Sequence, residues 1–76
     1  MEETNAQRFK RHLKAYEDAT KRQNAAIWEA GAAAHAGDDE AAAKWDAEAE
    51  AARKSAKLNY LMALRYSTLS RQSGEG

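Results

Sequence analysis

The sequence predicts an all-α fold, a two-helix antiparallel hairpin, and three observations predict it. Gly37-Asp38-Asp39 is the strongest internal turn signal and falls at the midpoint of the 76 residues. The chain has no proline and nineteen alanines, so long helices meet no breaker and are rich in the best helix former. Small and apolar residues recur at alternating spacings of three and four on both sides of the turn, which is the signature of a heptad seam.

The first helix is expected over about 5–36. Thr4 is suited to its N-cap, and Gln7 three residues on completes a capping-box pattern. Gly37 fits the position just past the helix, where the backbone turns left-handed and a side chain costs energy. The tight turn is placed at 37–38. Asp38 or Asp39 can cap the second helix, expected over about 39–69, and Glu40 complements the positive end of its dipole. Residues 70–76, with Gly74 and Gly76, read as a flexible tail on a single hairpin domain spanning 1–76.

Phase ties the two halves together. Phe9, Leu13, Tyr16, Thr20, Gln23, Ile27, Ala30 and Ala34 form the first expected seam. Ala42, Trp45, Ala49, Ala52, Ala56, Asn59, Ala63 and Tyr66 form the second. Folding at Gly37 sets Ala30 against Trp45, Ile27 against Ala49, Leu13 near Ala63 and Phe9 near Tyr66. Large residues mostly oppose small ones, but the seam is weak. Burying an alanine methyl contributes only about 0.8 kcal/mol, against roughly 1.5–3 for leucine or phenylalanine. A single core is marginal at this chain length, and oligomerisation is a common remedy.

Trp28, Leu58, Leu61, Met62 and Leu69 are apolar residues that this seam does not use. They are the expected protein-interface residues, serving a homodimer or another protein. Charge supports an antiparallel pair. The stretch 8–22 carries Arg8, Lys10, Arg11, Lys14, Lys21 and Arg22 against Glu17 and Asp18, and 51–72 is wholly basic in its charges. The stretch 29–50 holds seven acids, Asp38, Asp39 and Glu40 among them, against Lys44. A formal net charge of zero therefore hides an acidic turn end and a basic open end. Two hairpins packed head to tail into a four-helix bundle satisfy both the charge and the leftover leucines.

No chemistry of catalysis is expected. The chain has no cysteine, His-Glu-x-x-His, phosphate loop or nucleophile elbow. His35, Asp38, Asp39 and Glu40 cluster at the turn, but capping and the dipole explain them without a metal. No cofactor is expected. With 32% charged residues, a mean hydropathy of −0.90 and no long apolar run, the chain reads as cytoplasmic, with no membrane partner. The acidic start Met1-Glu2-Glu3 is unlike a secretory signal.

The expected function is that of a small non-catalytic adaptor, inhibitor or regulator, of the kind phages and plasmids carry, acting by protein binding as a homodimer. The alternative is RNA or DNA binding through the basic open end, with Arg8, Lys10, Arg11, Lys14, Lys54 and Lys57 as the binding residues. In architecture, with a central Gly37-Asp38 turn between heptad-bearing helices, the plan resembles the Rop family of plasmid-encoded hairpins. Their antiparallel dimers bind paired RNA loops, and the resemblance implies a similar use of the basic end.

Overall fold

A computed structural model describes residues 2–74. Two helices account for nearly all of them: α1 (Asn5–His35) and α2 (Asp39–Gln72). The capping box at Thr4 forms as the sequence predicts. Thr4 Oγ1 accepts from the Gln7 N–H at 3.1 Å, while Gln7 Oε1 accepts from the Thr4 N–H at 2.9 Å.

The turn closes as a Schellman motif. Gly37 has φ +79°, its N–H donates to the Ala34 carbonyl at 3.0 Å, and the Asp38 N–H donates to the Ala33 carbonyl at 2.9 Å. Asp38 then caps α2, its carboxylate accepting from the Ala41 N–H at 3.1 Å. One three-residue connection thus ends one helix and starts the next. The helices run back along each other as an antiparallel hairpin whose Cα extents are 55 × 20 × 14 Å.

Two expectations need correction. Helix α2 does not stop at 69: it continues through Ser70, Arg71 and Gln72, and Ser70 is buried. The chain leaves the helix only where Gly74, at φ +75°, supplies the left-handed residue and donates its N–H to the Arg71 carbonyl at 3.3 Å. The remaining residues of the expected tail, 75–76, lie outside the described residues.

The second correction concerns the phase of α1. Its seam runs through Phe9, His12, Tyr16, Ala19, Gln23, Ala26, Ala30 and Ala33, all buried or half-buried. At alternate rungs it is therefore one residue earlier than expected. Leu13 is left 37% exposed and Ile27 53% exposed, whereas Ala19 is fully buried. The seam expected for α2 keeps its phase and extends to Ser70, with Ala52, Ala56 and Ala63 buried, but its Trp45 is left 39% exposed near the turn.

Close approach explains the choice. Ala19, Ala26 and Ala33 recur every seven residues, as do Ala42, Ala49, Ala56 and Ala63. Alanine columns facing each other let the backbones approach, and close approach multiplies dispersion contacts. Leucine and isoleucine at those rungs would hold the helices apart. The consequence is a core made of methyl groups: among the described residues no large side chain is fully buried.

Candidate docking faces

The alanine seam makes the hairpin a thin slab with two broad faces and two edges. Position relative to the seam decides where each side chain lies. In an antiparallel pair, residues that immediately precede seam residues Tyr16, Ala56, Ala63 and Ser70 share one face. These are Ala15, Ser55, Met62 and Leu69. Residues that follow seam residues His12, Ala26 and Asn59 share the other, namely Leu13, Ile27 and Tyr60.

Of the five expected interface residues, the structure brings three together. Met62 and Leu69 are half-buried on the first face, and Leu58 joins them, exposed and one turn before Met62. Leu61 is exposed on the outer edge of α2, turned away from α1. Trp28, 78% exposed, sits on the outer edge of α1 near the turn. There it borders an open apolar hollow with Ile27, Gly31, Ala32, Asn24 and His35. No added Cβ at Gly31 would meet an atom within 4 Å, so this glycine simply lowers the helix surface beside the indole.

The second face carries the residues that the phase correction released. Leu13 and Ile27 lie two heptads apart on it, with Tyr60 and Leu64, about half exposed, on α2. Tyr60 leans across the seam toward Tyr16, their ring centroids 5.5 Å apart and inclined at 46°.

The six basic residues do not converge. Arg8 and Arg11 project on the side of Met62, Lys10 and Lys57 on the side of Tyr60, and Lys14 and Lys54 from opposite edges. Several are engaged within the chain. Arg8 lies over the Tyr66 ring at 5.6 Å, Arg11 pairs with Glu3 at 3.0 Å, and Lys14 pairs with Asp18 at 3.4 Å. On α2, Arg53 pairs with Glu50 at 2.6 Å; its hydrogen bonds hold the Glu50 carboxyl below the usual carboxylate range.

Near the open end a polar rung joins the two helices. His12 enters the seam where Leu13 was expected, and its Nδ1 lies 2.8 Å from Oδ1 of Asn59. Asn59 Nδ2 donates to the Ser55 carbonyl at 2.9 Å, which turns Oδ1 toward the imidazole. Since that oxygen can only accept, Nδ1 is the protonated nitrogen. The imidazole also stacks on Tyr66, with centroids 5.5 Å apart and planes 9° from parallel.

Among the described residues, no group of three or more His, Asp or Glu side chains is placed to hold a metal ion. Nor is any described helix long and apolar enough to cross a membrane. Comparison with protein families, curated proteins and solved structures finds no match to this chain.

Proposed function

We propose that this chain is a non-catalytic interaction protein: a helical hairpin that pairs with a second copy and acts by binding another protein, as an adaptor, inhibitor or regulator. One observation carries the reading. Among the described residues the buried apolar side chains are all alanines, while Leu13, Ile27, Trp28, Leu58, Leu61 and Leu64 are exposed, the reverse of what a self-sufficient domain arranges. The hairpin exposes 5741 Å². A compact monomer of the same mass exposes about 4,600 Å². The excess, about 1,100 Å², is comparable to the roughly 800 Å² that each partner contributes to a standard protein interface.

The nucleic-acid reading draws on the charge pole at the open end. The spread of its six residues over both faces and both edges, and the engagement of Arg8 and Lys14 within the chain, weigh against it. Sedimentation at micromolar concentration, with affinity capture from the native host by the wild type and by Leu61→Asp, tests the proposal. A dimer whose bound protein is lost with Leu61→Asp, the dimer persisting, supports it. Retention of mixed nucleic acid at low salt, abolished by charge reversal at Arg11 and Lys14, would favour the alternative.

A further inference from the structure

We propose that the second copy packs on the Leu58–Met62–Leu69 face in a single antiparallel register, fixed by Arg11 against Glu29 of the second copy. The inference rests on the homodimer reading and specifies its surface. Contacts between the helices pair Arg8 with Tyr66, Tyr16 with Tyr60, and His12 with both Asn59 and Tyr66, which puts Thr20 on α1 level with about Ser55 on α2 at the middle of the hairpin. A two-fold axis running across the slab at that level lays α1 on its own copy and α2 on its own copy, each pair antiparallel.

On α1 the outcome is self-complementary. Ala15 meets Ala25 of the second copy, a small-on-small contact that permits close approach. On one side of it Arg11 opposes Glu29, and on the other Asp18 opposes Arg22. On α2 the same axis sets large residues on small ones: Met62 on Ala51 and Leu58 on Ser55, with Arg65 opposing Glu48. The best registers of the two helix pairs differ by about one and a half residues, roughly 2 Å along the axis. The ~20° crossing usual in four-helix bundles takes up that offset.

The opposite face lacks this complementarity. Under the same axis it pairs Leu13 with Ile27, but it brings Arg53 beside Lys57 of the second copy twice over at the centre. Like charges juxtaposed in an interface oppose association. The face that remains free in the proposed dimer therefore carries Ile27, Tyr60 and Leu64.

A charge swap tests the register, because Arg11 and Glu29 are eighteen residues apart on one helix, about 27 Å, and cannot meet within a chain. Both are exposed, and Arg11→Glu gives up only the surface pair with Glu3, so the fold is expected to stay intact, which circular dichroism checks. In sedimentation equilibrium, Arg11→Glu and Glu29→Arg are each expected to weaken the dimer about tenfold, and the double swap to return it to within about threefold of wild type. Ile27→Asp is expected to leave the dimer unchanged. A wild-type dimer whose double swap is no tighter than the single variants, or which Ile27→Asp dissociates, overturns the proposed face and spares the homodimer reading. A wild type that sediments as a monomer at micromolar concentration overturns both.

Discussion

His12 Nδ1 donates to Asn59 Oδ1 across 2.8 Å, a polar rung between the helices of a seam otherwise built largely of alanine. Alanine columns are nearly featureless along their length, so they resist axial slippage poorly. A hydrogen bond with one geometry, backed by the Tyr66 ring stacked on the imidazole, fixes the register that methyl groups leave loose. Asn59→Ala is expected to lower hairpin stability by about 1 kcal/mol, the net worth of one hydrogen bond. A double-mutant cycle with His12→Ala, read by thermal unfolding, should return a coupling energy of similar size.

The phase of α1 has an equally direct consequence. Ile27→Ala removes a side chain that the hairpin leaves 53% exposed, so its cost to stability of the isolated hairpin should stay within about 0.5 kcal/mol. Ala19→Leu adds three carbons at a fully buried rung and should cost about 1–3 kcal/mol. Denaturant unfolding of the two variants orders them. Had Leu13 and Ile27 formed the seam, the order would be reversed.

Two glycines separate backbone strain from helix propensity. Gly37→Ala meets no atom within 4 Å, yet it places a Cβ on a residue at φ +79° and should destabilise by about 1–2 kcal/mol. Gly31→Ala also meets no atom, but in the interior of α1 it should stabilise by up to about 1 kcal/mol. Opposite shifts in melting temperature are the expected readout.

The Glu50–Arg53 pair gives a pH dependence of known sign. Its hydrogen bonds lower the Glu50 pKa below 4.5, so the stabilisation is present above that value and is lost as pH falls through the lowered folded-state pKa. The pair is open to solvent, so the effect on stability is slight. Carboxylate NMR titration should find Glu50 below its ordinary pKa, and Arg53→Ala should restore it.

The helices and the turn were legible because local chemistry decides them: Thr4 with Gln7, Gly37 and Asp38 each satisfy backbone groups within a few residues. The phase of α1 was harder to read, because it is a contest between two neighbouring columns. Counting hydrophobicity favours Leu13 and Ile27, whereas packing favours the alanines at 19, 26 and 33. The exact seven-residue recurrence of those alanines, matched by Ala42, Ala49, Ala56 and Ala63 on α2, was the available signal. The same slip hid His12, which reads as one more basic residue until it turns into the seam. Leu58, Met62 and Leu69 emerged as one patch because α2 kept its expected phase. Trp28 and Leu61 did not, since each lies on the edge opposite the seam of its own helix.

The central claim, that two hairpins pair head to tail, is tested most directly by one distance. The chain has no cysteine, so Ala36→Cys gives a single spin-label site at the exposed turn end. In an antiparallel dimer the two labels sit near opposite ends of the rod, and pulsed dipolar spectroscopy should return a separation of roughly 45–50 Å. A separation below about 20 Å, the distance of two turns side by side at bundle spacing, would contradict the account. So would a chain that shows no dipolar coupling because it remains a monomer.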